Sequence, residues 1–204
     1  STGASNIGIG YTALSSASTG TNNVGIGHAA LVANTASNNV AIGYQAADNT
    51  TSGANNVAIG AYAMDANTTG QYNVAVGTTA LDANTTADNN TAVGYNALTA
   101  NTTGYDMTCI GSGAGAVATT AVGCTFVGRA CGDAETDGIF NTAVGSNAYG
   151  AGASADYNTA MGYQALDAAT TSSSNVAIGY AALSATVTAG VNTAVGQSAM
   201  GVAN

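Results

Sequence analysis

The chain has no proline and no tryptophan, a single histidine, two phenylalanines and, among its basic residues, one arginine and no lysine. Charged residues make up only 5% of its 204 positions, and the formal charge is −9. Nucleic-acid binding needs Lys and Arg to neutralise phosphates, so one Arg excludes it in practice. The same shortage disfavours anionic membrane surfaces. No apolar run approaches 18 residues, so no transmembrane helix is expected and membrane insertion is excluded. With 6% aromatic residues the chain cannot build a globular core of large side chains. The pool of acids, bases and nucleophiles is nearly empty and unclustered, which argues against an enzyme and against a bound cofactor. No signal peptide is visible and the first residue is not Met, so the sequence reads as a mature or excised segment of something longer. The absence of lysine removes the usual tryptic sites, which suits an exposed extracellular fibre.

What is present is order. The motif Asn-(Val/Thr)-Ala-(Ile/Val)-Gly recurs along the whole chain, with its glycine at Gly10, Gly27, Gly43, Gly60, Gly77, Gly94, Gly111, Gly128, Gly145, Gly162, Gly179 and Gly196. Ten of the eleven intervals are 17 residues, and the one from Gly27 to Gly43 is 16. A short, constant period means one coil per repeat. The expected fold is therefore all-β: a parallel β-solenoid, or β-roll, of 12 coils of about 17 residues, filling residues 1–204 as one domain. At about 4.8 Å per coil the rod should be roughly 58 Å long, with short parallel strands.

Function must then be read from columns of equivalent residues. Counting the motif glycine as column zero, columns −3 and −1 are β-branched with the exception of Met161. They share one face of a strand, and the spacing predicts that this face lines the inside. Column −2, mostly Ala and Gly, forms the second face. Column +3 takes Ala in every coil but one, where Cys131 stands, as expected inside a narrow coil. Column +4 carries Leu14, Leu31, Met64, Leu81, Leu98, Leu166, Leu183 and Met200. It points outward if the segment is extended and inward if the chain turns there. Asparagine fills column −4 in ten coils, for example Asn56, Asn73 and Asn90, and predicts an amide ladder at a turn. The Asn-Thr-Thr-Gly segments such as Asn67–Gly70 read as a second, polar surface loop, and the one deletion falls in this loop.

Coils over about 105–140 break the pattern. Column −4 reads Met107 and Cys124, column −2 reads Cys109 and Phe126, and column +4 reads Gly115 and Gly132. All three cysteines, Cys109, Cys124 and Cys131, lie here with Arg129. Sequence drift in a tolerant array is one reading, and a disulfide in an oxidising compartment is the other. Cys109 and Cys124 are two columns out of register on adjacent coils, with Cα atoms roughly 8 Å apart in ideal stacking, beyond the usual limit of about 7 Å. Cys124 with Cys131 inside one coil is the remaining pairing. No histidine or acidic cluster completes a metal site, so none is expected.

Other motifs are weaker. Asp48, Asp65, Asp82, Asp133 and Asp167 share column +5, but the glycine-rich nonapeptide of calcium-binding rolls is absent. His28 shares a column with Tyr11, Tyr44, Tyr95, Tyr163 and Tyr180, without a nucleophile at a useful spacing. Five Asn-x-Thr sequons, at Asn49, Asn67, Asn84, Asn89 and Asn101, fall in the polar turns and are candidate glycosylation sites if the source modifies secreted proteins.

The units Asn39–Ala46 and Asn90–Leu98, each leading toward an Asn-Thr-Thr loop, resemble the tandem repeats of tail fibre domain proteins of phages and environmental bacteria. The Asn-x-Ala-Ile-Gly core is also similar to the head repeat of YadA-like trimeric autotransporter adhesins. The resemblance covers essentially the whole chain, though this repeat is longer than the adhesin repeat. It implies a left-handed roll, trimerisation, and a structural or adhesive role outside the cell: a phage tail fibre segment or a bacterial surface filament. Cell-surface glycans are the implied ligands. An ice-binding solenoid is the alternative, motivated by the regular column Thr51, Thr68, Thr85, Thr102 and Thr119. Self-association is expected in two directions. Apolar Leu/Met and Tyr stripes would be covered laterally in a trimer, whereas a Leu column that turns inward makes the roll self-sufficient without a lateral partner. End coils without polar caps, and a repeat register that nearly continues from Asn204 to Ser1, predict end-to-end stacking or continuation into further repeats.

Overall fold

In the computed structural model the described residues are 3–16, 19–168, 171–185 and 190–201. They contain twelve strands of three residues each: β1 Ile7–Ile9, β2 Val24–Ile26, β3 Val40–Ile42, β4 Val57–Ile59, β5 Val74–Val76, β6 Thr91–Val93, β7 Thr108–Ile110, β8 Thr125–Val127, β9 Thr142–Val144, β10 Thr159–Met161, β11 Val176–Ile178 and β12 Thr193–Val195. Each pairs in parallel only with its neighbours in sequence, giving one twelve-stranded sheet in the order β1 to β12. No helix occurs among the described residues. This is the parallel β-solenoid that the period requires.

Register is column-perfect. Val57 lies against Val74, Ala58 against Ala75 and Ile59 against Val76. It survives the short interval too: Val24 still meets Val40, because the missing residue falls in the loop before Asn39. A parallel strand slipped by one would turn every outward side chain inward, so the deletion is tolerated only outside the strand.

The motif glycine is dictated twice. Its φ lies between 124° and 141° in all twelve coils, a region open to glycine and strained for other residues. A Cβ on any of Gly10 to Gly179 would also come within 2.5 Å of the carbonyl oxygen of the next coil's glycine. Glycine therefore stacks on glycine along the rod.

The interior corrects the expected orientation of the strand. Column −2 faces in: Ala41, Ala75 and Ala92 are wholly buried. The β-branched columns −3 and −1 face out, and Ile59 and Ile110 keep 37% and 40% of their surface. The reason is volume. The open alternative at column +4 resolves inward, with Leu31, Met64, Leu81, Leu98, Leu166 and Leu183 completely buried. A leucine reaching across a narrow roll leaves only an alanine's space on the opposite wall. The turn is made by left-handed residues at columns +2 and +4, such as Thr79 and Leu81, both at φ 54°. These break the alternation, so Ala80 and Leu81 both point inward. The two left-handed residues of a coil cost about 1–2 kcal/mol each, and burial of the leucine side chain, about 1.5–3 kcal/mol, offsets part of that.

The irregular middle is a set of compensating exchanges. Where column +4 loses its leucine to Gly115 and Gly132, column −2 of the same coil gains Cys109 and Phe126. A Cβ on Gly132 would strike the Phe126 ring at 2.7 Å, and one on Gly115 would strike the Cys109 sulfur at 2.7 Å. In the next coil Tyr149 takes the leucine position, and its ring occupies the space beside Gly152, where other coils carry asparagine. Phe126 with Gly132 matches the bulk of the Ala and Leu it replaces; Cys109 with Gly115 is smaller, and Phe126 and Leu98 of the neighbouring coils reach within 3.3 and 3.5 Å of the Gly115 Cβ position.

Candidate functional surface

Two ladders of polar side chains lie inside the coil. In column −4 the side-chain oxygen of each asparagine accepts from the backbone N–H of its counterpart one coil on: Asn56 N–H to Asn39, Asn73 N–H to Asn56 and Asn90 N–H to Asn73, each at 2.9 Å. The amide nitrogen meanwhile donates to a backbone carbonyl, as Asn73 does to Ala87 at 2.8 Å. The ladder is thus mainly amide to backbone, and direct amide-to-amide bonds occur at Asn175 and Asn192. In the irregular coils sulfur continues it: Cys124 N–H donates to Met107 Sδ, and Asn141 N–H to Cys124 Sγ, both at 3.4 Å. The two residues that interrupt the sequence pattern keep its acceptor.

The second ladder corrects the picture of the Asn-Thr-Thr loop. Its asparagine is interior: Asn67, Asn84 and Asn101 have no exposed surface. Asn84 donates to Asn67 Oδ1 at 2.9 Å, and Asn101 to Asn84 Oδ1 at 3.3 Å. Glu135 occupies the same column, wholly buried, accepting from Gly138 N–H at 2.6 Å and from Asn141 Nδ2 at 3.1 Å. Burial pushes its carboxyl above the usual range, and the donated N–H groups work against that rise. Three of the five sequons, Asn67, Asn84 and Asn101, therefore present no free amide, whereas Asn49 and Asn89 are exposed.

The cysteines are free thiols and all three are buried. Each replaces an inward residue of a different column, so each sulfur is spent on core filling: Cys131 Sγ contacts the Ala143 carbonyl at 3.3 Å, and Cys124 Sγ that of Gly138 at 3.4 Å. Burial pushes the Cys124 and Cys131 thiols up to about 12, and that of Cys109 higher still.

The column +5 carboxylates stack. Asp65 lies between Asp48 and Asp82; partial burial first, and then these two neighbours, push it up to about 6. Its Oδ1 is shielded and has no partner. No group of three or more ligating side chains gathers among the described residues. The threonine column is also committed internally: the hydroxyls of Thr51, Thr68, Thr85, Thr102 and Thr119 donate to the carbonyl of the corresponding residue one coil on, for Thr51 at 3.0 Å.

What remains outward on the strands is a narrow strip of columns −3 and −1, made of Ile, Val, Thr and Met161, with Thr in six of the twelve positions of column −3. Its margins are mixed: column +1 carries Tyr in five coils among mostly polar residues, and column −5 is mostly polar, with Asn22, Asn38, Asn55, Asn89 and Asp106 alongside Tyr72, Phe140 and Tyr157. On one margin Tyr11, His28 and Tyr44 stack at 5.3 and 5.1 Å, and Tyr44 meets Tyr62 edge-on at 5.2 Å. On the other, Phe140 stacks on Tyr157 at 5.8 Å. Arg129 stands on the first margin and donates to Asn147 Oδ1 at 2.9 Å. The face was missed in the sequence because the β-branched columns read as core. The large residues of column +4 were the signal: they and the β-branched columns cannot all fit inside a 17-residue coil. The described residues enclose no pocket. Comparison with known protein families, curated proteins and solved structures finds no match for this chain.

Proposed function

We propose that this chain is a structural and adhesive segment of an extracellular fibre, as in a phage tail fibre or a bacterial surface filament, and that it is not an enzyme. The observation that supports this most is the unbroken ladder. Twelve strands are hydrogen-bonded in one direction, and the column −4 side chains link Asn6 to Asn192 along the same axis. A solenoid of this kind holds its length by nearest-neighbour bonds and offers long, repetitive sides for weak, multivalent contact. Cell-surface glycans are the proposed ligand class. The test is binding of fluorescently labelled protein to bacterial cells before and after periodate stripping of surface glycans. Binding that falls on stripping supports the reading. An absence of binding, or depolymerisation of the polysaccharide, refutes it.

A second reading is ice binding. The column that first suggested it has its hydroxyls bonded internally. The outward strand face favours it instead, because pairs such as Thr91 with Val93 and Thr125 with Val127 lie on the same side at regular spacing. Thermal hysteresis at micromolar protein decides between the two.

A further inference from the structure

The column +1 tyrosines differ in what stands beside them along the rod. Tyr163 and Tyr180 are equivalent residues of adjacent coils, directly after Gly162 and Gly179. Their rings stack with centroids 5.6 Å apart and planes 15° from parallel. Both are exposed, at 45% and 54%. Their backbones are fixed: Ala181 N–H donates to the Tyr163 carbonyl at 2.9 Å, and Ser198 N–H to that of Tyr180 at 2.8 Å. The flanking residues of the column are Ser146 and Gln197, so no further ring confines the pair from either side. No other two tyrosines stack face to face among the described residues. Tyr44 is held between His28, stacked at 5.1 Å, and Tyr62, which meets it at 70°. Tyr11 stacks on His28 and Tyr157 on Phe140. Tyr95 stands between Thr78 and Ser112.

We propose that Tyr163 and Tyr180 are a site of oxidative cross-linking, joined ring to ring as dityrosine by a haem peroxidase and hydrogen peroxide. Each exposed phenol gives up one electron and its phenolic proton, which leaves a tyrosyl radical. The two radicals pair in a C–C bond between one Cε of each ring. The hydrogen at each bonded Cε then moves to the phenolic oxygen and restores the phenol. The two electrons and two protons reduce one peroxide to two waters. The rod's pitch suits the bond. Rungs are about 4.8 Å apart, and two directly bonded rings have their centres only slightly closer than that. Turning both rings edge to edge about Cβ–Cγ brings the Cε atoms together with the backbones in place. Exposure leaves that rotation free at Tyr163 and Tyr180, whereas the His28 ring blocks it at Tyr44. The link fastens one coil covalently to the next at the surface, where the chain has no cysteine. It does not depend on the fibre reading.

The test is oxidation of the dilute wild-type chain with a haem peroxidase and hydrogen peroxide, read on single chains separated under denaturing conditions. Their mass should fall by two hydrogens, dityrosine fluorescence should appear, and peptide mapping should place the link between Tyr163 and Tyr180. Tyr163→Phe and Tyr180→Phe should each remove most of that fluorescence, and Tyr95→Phe should leave it unchanged. Circular dichroism checks that the variants keep the strand signal, and the wild-type peptide map decides the matter if one of them does not fold. Single chains without dityrosine, or a link mapped to another pair, overturn the proposal. Fluorescence that survives Tyr163→Phe in a folded chain overturns it too. So does a link that forms equally well in urea, because it would owe nothing to the stacked coils.

Discussion

Replacing Asn73 by alanine tests the interior ladder where it is most regular. Asn73 is wholly buried. Its Oδ1 accepts from Asn90 N–H at 2.9 Å, and its Nδ2 donates to the Ala87 carbonyl at 2.8 Å. Alanine leaves the Asn90 N–H unpaired, while the Ala87 carbonyl keeps the Asn84 amide at 3.2 Å. A buried unpaired group costs about 1–3 kcal/mol, so the loss should be about 1–3 kcal/mol, centred on the junction between β5 and β6. A solenoid opens locally, so native-state hydrogen exchange is the sharper assay. The Asn90 amide should exchange on the order of tenfold faster, since 1.4 kcal/mol is a factor of ten, while amides near β10 stay unchanged. Asn73→Met is the decisive companion. Methionine restores a side-chain acceptor, as Met107 does for Cys124 N–H, and should recover part of the loss at Asn90. If alanine costs under about 1 kcal/mol, or if alanine and methionine are equal at Asn90, the ladder is ornament and the reasoning fails.

Gly94→Ala should prevent folding of the central coils, because a Cβ there meets the Gly111 carbonyl at 2.5 Å with φ at 136°; loss of the strand signal in circular dichroism checks this. Phe126→Ala should cost about 3–5 kcal/mol, and adding Gly132→Leu should recover more than half, measured as a double-mutant cycle in urea. The native thiols should resist a disulfide-exchange reagent at pH 8 and react at once in denaturant, since all three are buried with raised pKa. Asp65 predicts an inverted pH response. Its folded pKa, about 6, lies above the ordinary value of 3.8, so the folded state binds the extra proton between these values and stability falls as pH rises through that window. The melting temperature should therefore be higher at pH 4.5 than at pH 7.5, and Asp65→Asn should shrink the difference. The carboxyl is partly solvated, so screening keeps the effect small.

The period alone determined the solenoid, the coil count and the in-register stacking of columns. A motif glycine every 17 residues is a demand that one stacked position imposes on all the others. The asparagine ladder was legible for the same reason, since a polar residue repeated at a fixed phase must bond along the stack. The tertiary structure alone decided which side of each column faces in. Alternation along a strand says only that neighbours oppose each other. The choice was made by left-handed residues at Thr79, Leu81 and their equivalents, which carry Leu into the coil and leave space opposite for alanine but not for valine. Interior volume, a property of two facing walls, likewise decided that Phe126 pairs with Gly132, that the cysteines fill space, and that Asn67, Asn84 and Asn101 are internal. The apolar face of Val, Ile and Thr is outward because the roll is too narrow to hold it.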